Sequence, residues 1–207
     1  SSSGTVTAAF DGNGTFTGNL GTAVTTVAAT KTLTTTAAIA DGKTITGASD
    51  GSIAITALHS TLAANLSGLT SSSGTVTAAF DGNGTFTGDL GTAVTTVATG
   101  VTMTAAANVV AGKTVDKAGT GALAVQVGNA DAAVDLTTIA GTAFASVTVT
   151  ADVTFTGTLD DTVATSINNG VTLTTTAAKV TAKTLSGSGT VAVTALDATL
   201  AADLSNV

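Results

Sequence analysis

Residues 1–28 and 71–98 are one sequence repeated, identical at every position but one, where Asn19 stands against Asp89. The register continues more loosely beyond that match. Lys43-Thr44-Ile45 aligns with Lys113-Thr114-Val115 and with Lys183-Thr184-Leu185. The runs that begin at Lys31, Val101 and Val171 are the same Thr- and Ala-rich element, at the spacing that separates Ser1 from Ser71, and Leu66, Leu136 and Leu204 mark another column. Three units follow, 1–70, 71–140 and 141–207. A fixed period of this kind is the mark of a repeat architecture.

Each unit divides again into segments of about 20 to 27 residues. A segment opens with an alternating run, reaches a polar turn (Asp41-Gly42, His59-Ser60 or Asp81-Gly82-Asn83-Gly84) and resumes as a second short strand, TITG, TLAANL or TFTG. With 48 Thr and no Glu or Arg among 207 residues, the chain favours extended backbone, where β-branched side chains fit a pleated surface. It is 43% apolar and only 9% charged, which separates it from disordered low-complexity chains. The fold expected is all-β: a parallel β-helix, or β-solenoid, of about nine coils in three repeats of roughly 70 residues, forming one continuous body. Coils about 4.8 Å apart would make a rod roughly 40 Å long, with identical residues laddered along its axis and the six Phe as its large core pieces. The alternative is a string of small β-sandwich domains. Against that stand the small size of each unit, the absence of a linker between units, and a chain without Trp or Tyr.

Ser1 stands where a unit begins, and Val207 aligns with Leu69, one position short of the next. The chain does not begin with Met and carries no recognisable leader, so a processed or excised segment is expected. Neither end resembles the polar cap that closes a solitary solenoid. Open ends of this kind expose unpaired strand edges, and a head-to-tail contact that does not close generates a filament. An excerpt of a longer repetitive protein and a self-stacking subunit are both open, and head-to-tail self-association is the partner expected.

The loops at Asp11 and Asp81 are candidate calcium sites through Asp11, Asn13, Asp81 and Asn83, whose oxygens suit that hard cation. Asp50, Asp160 or Asp161 could join them from neighbouring coils. The spaced acidic pattern of a calcium loop is incomplete, and the third unit shortens the loop around Asp152. Asp-Gly and Asn-Gly are also strong turn formers, and a plain turn is the preferred reading. His59 is the single histidine; its column carries Asn129 and Asp197 in the other units, which suits a surface turn and not a repeated catalytic site. With no Cys or Glu and one His, neither a zinc site nor a Ser-His-Asp triad finds its parts. Asp160-Asp161 is the only adjacent carboxylate pair, and it lacks aromatic sugar platforms. No enzymatic activity is expected. Thr-x-Thr runs, such as Thr32-Leu33-Thr34, Thr148-Val149-Thr150 and Thr172-Leu173-Thr174, resemble the ladders of ice-binding β-solenoids, though outward Thr is also an ordinary strand residue.

A net charge of −7, from 13 Asp against six Lys, argues against nucleic acid as a partner. No run of 18 apolar residues is present to span a membrane. The Ala-, Thr-, Gly- and Asp-rich, Cys-free, tandemly duplicated pattern resembles repeat regions of large secreted bacterial surface proteins and adhesins. That resemblance implies an extracellular or cell-surface location and a structural role, as a rod, stalk or filament. A binding module using calcium loops or an ice-binding Thr face is the alternative.

Overall fold

The computed structural model describes residues 4–196 and 201–207. The first unit holds β1 (Thr7–Phe10), β2 (Gly14–Thr15), β3 (Val24–Val27), β4 (Thr32–Thr36), β5 (Ile45–Gly47), β6 (Ser52–Thr56) and the start of β7 (Leu69–Ser71). The second holds β8 (Val76–Phe80), β9 (Gly84–Phe86), β10 (Val94–Val97), β11 (Thr102–Ala106), β12 (Val115–Lys117) and β13 (Ala122–Val127). The third holds β14 (Phe144–Val149), β15 (Val153–Thr154), β16 (Thr165–Ile167), β17 (Thr172–Thr176), β18 (Leu185–Gly187) and β19 (Thr190–Thr194). Three one-turn helices, α1 (Ala37–Ala40), α2 (Ala107–Val110) and α3 (Ala177–Val180), follow β4, β11 and β17.

The strands form four parallel sheets. The first runs β1-β3-β5-β7, and the second β2-β4-β6-β8-β10-β12. The third runs β9-β11-β13-β14-β16-β18, and the fourth β15-β17-β19. The chain returns to a sheet after a short excursion, leaving at Thr7 to come back at Val24, and leaving at Ile45 to come back at Leu69. The fold is therefore all-β and parallel, as expected. Small sandwiches of the kind weighed from the sequence are built from antiparallel sheets instead.

Strand alternation explains which residues face in. In β4, Leu33 and Thr35 are buried, while Thr32, Thr34 and Thr36 between them stay partly exposed. β6 repeats the pattern with Ile53 and Ile55 inward. Because each strand pairs residue for residue, Leu33 over Ile53 and Thr35 over Ile55, the inward side chains stack into one column. The resulting core runs continuously from Val27 to Leu185, with Phe80, Phe86 and Phe155 among its largest fully enclosed members. Phe10, Phe16 and Phe144 pack against it but are only partly covered. At the end of β4 the run of Ala turns helical, and Ala37 and Ala40 lie on the inner side of that turn. Gly42 then reverses the chain at φ +63°, a conformation glycine adopts without a Cβ penalty.

Two sequence expectations are corrected. TLAANL is not a strand: it is a turn with a single bridge, from Asn65 to Asp89. The identical residues also do not ladder on one another. Thr7–Phe10 lies in the first sheet, whereas its copy Thr77–Phe80 lies in the second, stacked on β6 with Ala54 opposite Thr77. The physical reason is the length of the unit. Three returns to the first sheet reach Leu69 before the repeat restarts, so the remaining residues carry the chain on to the next sheet. The corresponding strand of the third unit, β14, lies in the third sheet.

Candidate functional site

The Asp-Gly-Asn-Gly turns spend their Asn side-chain oxygens on the backbone. Asn13 Oδ1 accepts the Thr32 N–H at 2.8 Å, and Asn83 Oδ1 accepts the Thr102 N–H at 2.7 Å. In the shortened third loop Asp152 Oδ1 accepts the Thr172 N–H at 2.7 Å, the same bond with a carboxylate in place of the amide. Asp81 pairs with the His59 ring, Nδ1 to Oδ1 at 2.5 Å, and Asp11 is exposed. The carboxylates suggested as additional ligands are placed elsewhere. Asp50 accepts the Thr30 N–H at 2.8 Å, Asp160 is bonded by Thr162 and Val163, and Asp161 pairs with Lys183. Among the described residues no three His, Cys, Asp or Glu side chains converge to hold a metal ion.

His59 lies in a surface turn: Leu58–Ser60 is a single turn of 3₁₀ helix. Its pairing with Asp81, 22 residues on, could not be read from local sequence, because the two residues meet only when separate segments of the chain stack. Ser60 Oγ lies 3.4 Å from Nε2, long for a hydrogen bond, and both members of the His-Asp pair are more than one-third exposed. An exposed pair of this kind contributes about 0–1 kcal/mol. Asn129 lines a shallow surface hollow with Asp152, and Asp197 lies outside the described residues.

Two columns already aligned in the sequence carry bonds that the sequence alone does not show. Lys43 Nζ donates to the Gly21 carbonyl and Lys113 Nζ to the Gly91 carbonyl, each at 2.7 Å. Lys183 meets Asp161, which stands one unit beyond Gly91. The second column is a corner in which an Asn or Asp side chain accepts the backbone N–H two residues ahead. It recurs at Asn19, Asn65, Asp89, Asp135, Asp160 and Asp203, with bond lengths from 2.7 to 3.0 Å. The central residue of that corner is Leu20, Leu66, Leu90, Leu136 or Leu204, which packs on or in the core, except at Asp160, where it is Asp161. Asx-Leu followed by Gly, Ser or Thr is the signal that could have found it. Burial pushes the Asp160 carboxyl up, but bonds from Thr162 and Val163, with Lys183 nearby, hold it below its ordinary value. Bonds from Ser205 hold Asp203 down in the same way.

The Thr-x-Thr rows are interrupted on the outer faces: Thr34 stacks on Ala54, and Thr174 on Ala192. Among the described residues no helix is long and apolar enough to cross a membrane.

Among the described residues, the most exposed large apolar side chains are Leu196, Val6 and Val207, all close to the ends of the chain. Val6 is 50% exposed, while Val76, in an identical local sequence, is 6% exposed where it stacks on Ile53 of the first unit. At the other end Leu196 is 52% exposed, whereas Leu58, two units earlier, is fully covered. A concavity of about 440 Å³ opens there among Ile167, Leu185, Gly187, Val191 and Val207.

Compared with family models, curated proteins and solved structures, the chain matches none.

Proposed function

We propose that this chain is a structural β-solenoid segment, a stiff rod belonging to a secreted or surface-exposed repetitive protein of the adhesin type, with no enzymatic role. One observation carries the reading: parallel pairing runs through both unit boundaries. β8 of the second unit stacks on β6 of the first, and β14 of the third on β13 of the second. With no linker between them, the units share one hydrogen-bonded ladder and resist bending together. Isolated beads would flex at each boundary.

The sheet order supports a three-sided winding in which each unit makes three and a third turns. The third sheet starts over the loop that follows β6, where Thr87 N–H donates to the Leu62 carbonyl at 2.7 Å. The fourth starts over the loop that follows β13, where Thr156 N–H donates to the Ala132 carbonyl at 2.7 Å. The loops of the second unit in turn cover the side of the first sheet, with Thr92 Oγ1 bonded to the Leu69 carbonyl at 3.2 Å. This favours ten windings over the nine expected from dividing each unit into three, and a rod about 48 Å long.

Small-angle X-ray scattering tests the rod. A cross-section profile of uniform width and a length of about 48 Å are expected from the spacing of stacked strands. A longer, flexible string of three particles would overturn the reading. Protease shaving of intact source cells tests location: release of chain fragments is expected, and complete protection would remove the surface assignment.

A further inference from the structure

We infer that the outer edge of β19 receives β1 of a second copy of this chain in one register, Ala192 opposite Thr7 and Val193 opposite Ala8. This rests on the solenoid reading above and adds to it a partner, an orientation and a register.

The two internal junctions supply the template. At the first, Ala54 stands opposite Thr77 and Ile55 opposite Ala78. At the second, Ala124 stands opposite Ser146 and Val125 opposite Val147, after an irregularity next to Phe144. The two registers are the same. Ala78 pairs onward with Thr95, and Val147 pairs onward with Thr165, the counterpart of Thr95 in the next unit. The receiving strand is also kept in kind between junctions. Ser52 stacks on Thr32, Ala122 on Thr102 and Thr190 on Thr172, so β6, β13 and β19 occupy one structural position in successive units. Ala192 is therefore the counterpart of Ala54, and Val193 of Ile55.

The docking strand needs no analogy, because Gly4–Phe10 and Gly74–Phe80 are the same sequence. The surfaces that the internal junction covers are those left open at the ends. Val76, Phe80, Phe86 and Leu90 are buried in the second unit. Their identical counterparts in the first are Val6, half-exposed, and Phe10, Phe16 and Leu20, only partly covered. On the receiving side, Ile53, Ile55 and Leu58 are buried, while Val191 and Val193 are partly covered and Leu196 is exposed. Joining the ends would bury both sets as the internal junction does. Apolar area removed from water is the main favourable term in such an association. The register also fixes how copies lie. Each unit shifts the pattern by one side of three, so three units restore it, and a second copy follows the first by near-translation of about 48 Å along the axis.

The chain has no Cys, so paired cysteines read the register without background. In the full chain, the double variant Thr7→Cys with Ala192→Cys is compared with Ala9→Cys with Ala192→Cys, which places the cysteines two residues out of register on the same face. Mild oxidation at high protein concentration should give a ladder of covalent dimers and trimers from the first pair and at least tenfold less from the second. A ladder from both pairs alike, or from the second alone, overturns the register. No ladder from either, with the protein monomeric by ultracentrifugation, overturns the docking. Scattering from that monomer then reports separately whether the rod itself stands.

Discussion

The backbone N–H of Thr102 donates to Asn83 Oδ1 at 2.7 Å, across 19 residues of chain and between the adjacent parallel strands β9 and β11. That bond, and its counterparts at Asn13 and Asp152, ties each loop to the next layer. Asn83→Ala should cost about 1 kcal/mol, the worth of a hydrogen bond whose partner is left behind. Asn83→Asp should cost much less, since Asp152 already makes the same bond. Thermal unfolding of both variants checks this, with about 2–4 °C expected per kcal/mol. With the amide oxygens so engaged, calcium or a chelator should leave the wild-type melting temperature unmoved.

Thr25 and Thr95 turn their hydroxyls into the core, where neither finds a partner. Thr175, equally buried, donates instead to the Phe155 carbonyl at 2.8 Å. Thr95→Val should therefore stabilise the chain by about 1 kcal/mol, while Thr175→Val should destabilise it by a similar amount. The opposite signs, read by denaturant titration, separate hydrogen bonding from simple hydrophobicity.

Two positions hold a side chain where the other units use glycine. Ala182 sits at φ +58°, and its counterparts Gly42 and Gly112 at +63° and +69°. Thr30 sits at +64°, against +75° for both Gly100 and Gly170. Left-handed backbone costs an L-residue about 1–2 kcal/mol. Ala182→Gly and Thr30→Gly should each raise stability by about 1 kcal/mol, the gain being larger at the β-branched Thr30. A loss of stability at both sites would show that the positive φ is not a strain.

Asp160 gives the fold an acid limit. Its carboxyl is held below the ordinary value of 3.8 in the folded chain, so the folded state binds that proton less readily than the unfolded one. The stabilisation is complete above the unfolded value and is lost as pH falls through the folded value. Asp160→Asn should therefore be less stable than wild type by a constant margin above about pH 5, with the gap closing below about pH 4. Denaturation midpoints measured from about pH 7 down to about pH 3 decide it.

The parallel, all-β class was legible because it follows from composition and alternation: Thr, Val and Ala at period two leave few other choices. The repeating unit was legible from identity alone. Its phase was not. Whether Thr77 stacks on Thr7 or on Ala54 depends on how many residues each return consumes, and the return from Ile45 to Leu69 is longer than that from Thr7 to Val24 because its loops are longer. Asn13 and Asn83 were found as turn residues, but their bonds to Thr32 and Thr102 became visible only with neighbouring parallel strands in place. The His59–Asp81 and Lys113–Gly91 contacts were hidden for the same reason.

The central claim is that pairing passes through the unit boundary, and spin labels at Ala54 and Thr77 measure it most directly. These residues stand opposite each other on adjacent strands from different units. Strands in register lie about 4.8 Å apart, so the labelled pair should show strong dipolar broadening in its electron paramagnetic resonance spectrum. A spectrum that is the plain sum of the two single-label spectra would contradict the account.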